Sequence, residues 1–332
     1  MKKLFVPFIL ASILFSSFKD NEYSFVREFK ITAPVNLKIS TSGGNINASG
    51  YDKDVVEVAF VVKKRNQLLE ISFEELQKIA EVEIVNENNY LEISVEKISE
   101  KNVSIGFNIK TPFNTSCNFH TSGGNIKVTE ITGNHDINTS GGNLTFENIN
   151  GTVAANTSGG NITINNSKAD IIAKTSGGNV SIENIDGKVE THTSGGNIKI
   201  KNSKFDAIAE TSGGNIELTE VQGQIDVNTS GGSISLNNIS GSVTATTSGG
   251  SISANIIKLT DKLILGTSGG SITANIPSGL GLDLNLKGYK VNTQLNNFSG
   301  KAEKGKIIGQ INGGGIQVDL STTGGNVNLN YK

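Results

Sequence analysis

The 332-residue sequence contains one cysteine, one methionine, four prolines and no tryptophan. The single cysteine, Cys117, excludes a disulfide framework, a multi-cysteine zinc site or an iron–sulfur cluster held within the chain. Arginine is nearly absent. Only Arg27 and Arg65 carry a guanidinium, so no arginine fork is available beyond Arg65 for bidentate recognition of a carboxylate or phosphate. An excess of positive charge is missing as well: 29 Lys and Arg face 31 Asp and Glu, for a net charge of −2. Residues 1–20 hold Lys2, Lys3 and Lys19 against Asp20, so the rest of the chain carries about −4. Phosphate binding needs a basic excess, and a nucleic-acid partner is not expected. Long apolar runs are missing too, except at the start of the chain.

That start is Met1-Lys2-Lys3 followed by the apolar stretch Leu4–Phe15, a basic head and a run shorter than a bilayer-spanning helix needs. Residues 1–20 are expected to be a secretory signal peptide. With no cysteine near the run, a lipoprotein anchor is not expected. After signal removal no transmembrane segment remains, and the chain is expected to be exported to the periplasm, the cell surface or the medium.

What the chain has in quantity is glycine, 39 residues of it, arranged periodically. Thr-Ser-Gly-Gly begins at 41, 121, 139, 157, 175, 193, 211, 229, 247 and 267, and Thr322-Thr323-Gly324-Gly325 is a variant. From 121 to 247 the interval is always 18, the mark of like units stacked in one direction. With Thr as position 0, position 5 reads Ile126, Leu144, Ile162, Val180, Ile198, and position 7 reads Val128, Phe146, Ile164, Ile182, Ile200. Positions 14 and 16 are also apolar, as in Val153 and Ala155 or Ile225 and Val227, while positions 6, 8, 13 and 15 are mostly polar. Period 2 of this kind predicts strands with one buried face.

Each coil therefore reads as two short strands joined by two corners, one at Ser-Gly-Gly-Asn and one at Asn-Ile-x-Gly, where glycine is expected to supply a positive φ. Position 10 is expected to point inward with its volume compensated at position 12: Ile149, Ile185 and Ile239 precede Gly151, Gly187 and Gly241, whereas Ser167 and Ser203 precede Ala169 and Phe205. Position 4 is Asn from Asn125 to Asn215 and then Ser233, Ser251 and Ser271, which predicts a hydrogen-bonding ladder along the stack.

The expected fold is all-β, a parallel β-solenoid of 18-residue coils with one short helix in the N-terminal segment. Its expected divisions are 25–120 as an N-terminal β-rich cap, 121–275 as the regular solenoid and 276–332 as a C-terminal end and cap. Strands are predicted at 54–63, 81–85 and 90–97, and an amphipathic helix at Phe73–Ala80. Both irregular segments would cover open strand edges.

Residues able to do chemistry are few. A serine repeated in every coil lacks the Gly-x-Ser-x-Gly setting and the unique histidine of a nucleophile. His120 and His192 share position 17 four coils apart, about 19 Å at the strand repeat, too far for one metal. His135 falls on inward position 14 and reads as a packed neutral ring. Calcium β-rolls need aspartates where these turns carry Asn or Ser. Asp136, Asp170, Asp206, Asp226, Glu190 and Glu210 read as a solvated outer face without a cluster. No catalytic, cofactor-binding or metal-binding residue is assigned, and no cofactor is expected. The alternative is a glycan-active enzyme with its site between the N-terminal segment and the first coils, where Glu74, Glu75 and His120 are the candidates.

The Thr-Ser-Gly-Gly-Asn-Ile array, its lead-in Ile109–Ser116, and the closing Ile311–Ile316 with Thr323–Val327 resemble the bacterial putative-adhesin family with toastrack-type β-solenoid domains, over about residues 25–332. The resemblance implies an exported or envelope-associated solenoid, an adhesive or scaffold role, and no catalytic residues. The expected partners are envelope or surface polymers such as glycans, or another surface protein.

Overall fold

The computed structural model describes residues 18, 22–96 and 99–332; apart from residue 18, the expected signal segment lies outside them. The repeat forms two parallel ladders. In one, the first strand of each coil pairs in register with the next, Ile126 with Leu144, Leu144 with Ile162, Ile162 with Val180. In the other, the second strands do the same, His135 with Val153, Val153 with Ile171, Ile171 with Val189. An 18-residue period thus becomes a stack in which positions 5, 7, 14 and 16 are buried coil after coil. The fold is the expected β-solenoid, and the helix forms at Phe73–Ile79.

The corners meet the expectation in part: at the second corner Gly151 and Gly241 have a positive φ and Gly187 does not, while the first corner is built differently. None of the Thr-Ser-Gly-Gly glycines has a positive φ; the left-handed residue of each regular coil is position 9, occupied by Glu130, Asn148, Asn166, Asn184, Asn202, Glu220 and Asn238. Asparagine tolerates that conformation better than most residues. The second glycine of the motif is required by close approach instead, since a Cβ on Gly178 would collide with the Gly160 carbonyl. In several coils the second corner is a bend inside one continuous strand, as in Ile162–Lys174 and Ile234–Thr247.

Two polar ladders run along the Ser-Gly-Gly-Asn corner. The motif threonine points inward: Thr175 Oγ1 donates to Gly160 O at 2.9 Å and accepts from Gly178 N at 3.2 Å, and Thr139, Thr157 and Thr193 repeat the arrangement. This inward role of position 0 is not visible in the hydrophobic pattern. The Asn ladder exists, but each amide oxygen accepts from the next coil's backbone, as in Asn143 N to Asn125 Oδ1 at 2.8 Å, rather than from a stacked amide. Where Asn gives way to Ser the hydroxyl continues it, Ser251 N donating to Ser233 Oγ at 3.2 Å.

Position 10 is inward as expected, with Ile149, Ile185 and Ile239 buried before their glycines, and in the two serine coils the compensation holds once and fails once. Ser167 is buried beneath a buried Ala169, but Phe205 turns outward and is 47% exposed, leaving Ser203 Oγ buried with no partner among the described residues. An unpaired buried hydroxyl is destabilising by about 1–3 kcal/mol. Ser203 stacks between Ile185 and Val221, so Ser203→Val is expected to raise stability by about 1 kcal/mol. Ser167 Oγ accepts from Ile149 N at 3.1 Å and donates to Asn165 O at 2.9 Å, so Ser167→Val should lower stability. Shifts of the same sign in the two denaturation midpoints would show that pairing does not decide the outcome.

At both ends the coils stack out of chain order. Val35–Thr41 lies between Tyr90–Glu96 and Thr115–Thr121, so the early motif copy at Thr41 is enclosed by segments that follow it. At the other end Ile316–Thr322 lies between the second half of Ile252–Thr267 and Leu282–Lys287. Antiparallel strands cover the outer coils: Val55–Lys64 pairs with Val103–Pro112, and Lys306–Ile311 with Leu282–Lys287. The N-terminal cap closes over Phe25, Phe60, Phe73 and Phe107, with Phe25 and Phe60 stacked at 4.6 Å and the others edge-on. Leu76 of the helix is fully buried.

Candidate functional site: the outer faces of the stack

Glu74, Glu75 and His120 do not converge. Glu75 is occupied as a helix cap: its carboxylate accepts from Ser72 N at 2.8 Å while Ser72 Oγ accepts from Glu75 N at 3.2 Å. Backbone and Ser72 bonding at this helix start hold the Glu74 carboxyl below its ordinary range. The helix leads into Glu81–Glu87, a strand three ladder steps or about 14 Å from Thr115–Thr121, which carries His120, and its Phe73 packs on Phe25 and Phe60.

His135 is buried as expected, stacked between Cys117 and Val153. Neither ring nitrogen has a hydrogen-bond partner among the described residues. Burial pushes its pKa down to about 4, with the nearby Ile131 backbone opposing it. The unfolded chain therefore takes up the proton first as pH falls. The resulting stability is complete above about pH 6.5 and is lost on going down towards about pH 4, by roughly 3 kcal/mol. His135→Val, which matches the residue of the next coil, is expected to flatten that dependence. Urea unfolding at pH 5 and pH 7.5 tests it; an unchanged pH dependence in the variant would refute the assignment. Burial also pushes the Cys117 thiol well above its ordinary range, leaving it an inert core group.

The acids of the second-strand face are less scattered than expected. His192 joins two of them, its Nε2 lying 3.0 Å from Glu190 Oε1 and its Nδ1 3.0 Å from Glu210 Oε2 on the adjacent coil. Lys174 Nζ stands 3.8 Å from Glu190 on the other side. On the first-strand face Lys199 meets Glu217 at 3.3 Å and Lys201 meets Glu183 at 2.9 Å. These pairs are solvent-exposed and each adds little stability; they set charge pattern rather than core strength. The signal for the His192 cluster was the outward pairing of positions 15 and 17 across neighbouring coils.

A family model described as Toastrack DUF4097 matches residues 165–330, half of the chain. The chain belongs to this family. Among solved structures, it is similar to a putative adhesin from Bacteroides fragilis NCTC 9343, at 16% identity over 76% of this chain and 95% of that one, TM-score 0.36. It is similar also to a putative lipid binding protein from Parabacteroides distasonis ATCC 8503, at 18% identity over 76% and 97%, TM-score 0.40. A putative cell adhesion protein from Clostridium sporogenes ATCC 15579 matches at 12% identity over 93% and 99%, TM-score 0.20. No curated protein matches.

The toastrack stack extends this architecture N-terminally through Thr121, Thr139 and Thr157, and its second-strand face there holds a groove of about 430 Å³ lined in part by Lys38, Tyr90, Asn118 and Asp136. Tyr90 Oη donates to Glu92 Oε2 at 2.6 Å and Lys38 Nζ lies 2.9 Å from Glu92 Oε1. The hydrogen bonds from Lys38 and then Tyr90 hold the Glu92 carboxyl below its ordinary range. Sequence reasoning missed this trio because Tyr90 reaches Asn36 only through the out-of-order pairing of Tyr90–Glu96 with Val35–Thr41. Among the described residues, no three His, Cys, Asp or Glu side chains come together as a metal site, and no helix is long and apolar enough to cross a membrane.

Proposed function

We propose that this toastrack protein is exported and acts without turnover, as an adhesin or cell-envelope scaffold that holds surface polymers or another surface protein along its outer faces. The observation that carries this reading is the division of labour within each coil. Positions 0, 3, 5, 7, 10, 14 and 16 are committed to packing and main-chain bonding, while the outward positions carry mostly polar and charged side chains, interrupted by the exposed Ile172, Phe205 and Ile208. Many weak contacts along such faces sum to avidity.

Deleting residues 157–174 removes one whole coil and keeps the register, since Leu144 can then pair with Val180 as it pairs with Ile162. Binding to whole cells or envelope polymers is expected to fall gradually as one and then two coils, 157–192, are removed. Binding abolished by a point change at Glu74 or His120 but untouched by either deletion would overturn the reading.

A further inference from the structure

The period breaks once inside the array. From Thr247 to Thr267 the interval is 20 residues, and the two extra residues fall at the second corner. There Ile256 and Leu259 turn inward, Ile257 is left 59% exposed, and pairing resumes with Val243 opposite Leu263 after a register shift. On the coils before this bulge, position 12 is Gly241 and then Gly223, with φ of +141° and +109°. Neither carries a side chain, and a Cβ on Gly241 would collide with the Gly223 carbonyl.

The result is an open trough of about 520 Å³. Its floor is the two glycines, and its sides are Gln222 and Ser240 on one hand and Gln224 and Ser242 on the other. Lys204 stands at one end, Lys258 and Lys262 at the other, and Asp261 is the only carboxylate in the lining. Lys204 and Lys258 occupy the same coil position three coils apart, about 14 Å. Asp206, beside the Lys204 end, is engaged as the acceptor for Gln224 N at 2.9 Å.

A similar glycine pair, Gly133 and Gly151, shows what is special here. Its flanking side chains are tied to one another, Thr152 Oγ1 donating to Asn134 Oδ1 at 2.9 Å and Asn150 Nδ2 to Thr132 Oγ1 at 3.5 Å, and a lysine follows it at one end, Lys168 opposite Asn150. In the trough Ser242 Oγ and Thr260 Oγ1 are tied at 3.2 Å, but among the described residues the side-chain amides of Gln222 and Gln224 have no such partner. The half-exposed ring of Phe205 continues the glycine row and offers an apolar surface beside the trough.

We propose that this trough binds a segment of an anionic oligosaccharide, with acid groups held by the lysines at the two ends and ring hydroxyls met by the Gln amides and Ser hydroxyls over the glycine floor. The proposal rests on the surface-contact reading and narrows it to one polymer class and one place. A chain of sugars suits a shallow polar trough with free amides in the middle, and lysine, a compact point charge, suits isolated acid groups along such a chain.

The test is calorimetric titration of the purified chain with oligogalacturonate, its neutral methyl ester, and a sulfated oligosaccharide. Binding of an acidic chain is expected, without binding of the ester, and the tighter of the two acidic chains names the acid group. Lys258→Gln with Lys262→Gln should weaken it at least tenfold. Lys127→Gln with Lys199→Gln makes the same charge change on the first-strand face and should leave it within twofold. Melting curves confirm that both variants fold. No binding of either acidic chain, equal binding of the ester, or equal loss in both double variants overturns the proposal. Whole-cell binding that survives in the Lys258 and Lys262 variant would leave the surface-contact reading standing and remove only this subsite from it.

Discussion

Gly178→Val is expected to lower stability by more than about 3 kcal/mol, because the new side chain would have to displace the Gly160 backbone and with it the bonds that join two coils. The carbonyl it would strike is the acceptor of Thr175 Oγ1, so the inward threonine ladder breaks at the same point. Ser181→Val, on the outward side of the first strand, should change stability by no more than about 0.5 kcal/mol. The sharper comparison is within the motif. Gly177 has only ordinary van der Waals neighbours where its Cβ would be, the nearest at 3.7 Å, so Gly177→Ala should be tolerated while Gly178→Ala is not. Equal melting temperatures for the two alanine variants would show that close approach is not what selects glycine at the second place.

Deleting residues 316–332 is expected to unseat far more than those residues. Ile316–Thr322 and Val327–Tyr331 pair on one side with Ile252–Thr267 and Ile272–Ile276, and on the other with Leu282–Lys287 and Val291–Asn292. Without them the segment 282–311 loses the ladder it is seated on, and the coil of Thr267 presents a bare edge. Hydrogen exchange followed by mass spectrometry should show 282–311 exchanging at the rate of an unfolded chain, with fraying into the coil of Thr267. The internal deletion of 157–174 should leave protection elsewhere unchanged. Persistent protection of 282–311 after the terminal deletion would contradict the pairing.

The coil interior was legible because its physics is local. Each inward residue stacks on its own equivalent 18 positions away, so hydrophobic period and burial coincide from Ile126 to Ala245. Three features lay beyond that logic. Glycine in the motif is recognisable, but a sequence does not distinguish a glycine needed for φ from one needed because the neighbouring carbonyl of Gly160 is too close. Thr175 looks like a polar corner residue until its hydroxyl is seen bonded to two main-chain groups inside the stack. The early copy at Thr41 carries the repeat, yet nothing in the repeat says that it sits between 90–96 and 115–121, because identical coils accept one another equally well in any order. The acid pair bridged by His192 escaped for a related reason: outward positions have no period, and their meeting depends on the rotamers chosen on adjacent coils.

The intercalated coil also determines how the molecule carries a load. A pull applied at Lys332 does not reach a strand that is outermost along its whole length. It acts on Val327–Tyr331, which is held by Ile272–Ile276 on one side and by Val291–Asn292 on the other. Force entering there first loads the seam of Leu329–Tyr331 with Ala274–Ile276, and the strand is released only after bonds on both sides of Val327 and Asn328 are broken. A tether at this end would have to free Val327 and Asn328 from two sides, whereas a pull transmitted through Phe25–Lys30, which among the described residues pairs with Val55–Lys64 alone, would open a single seam throughout.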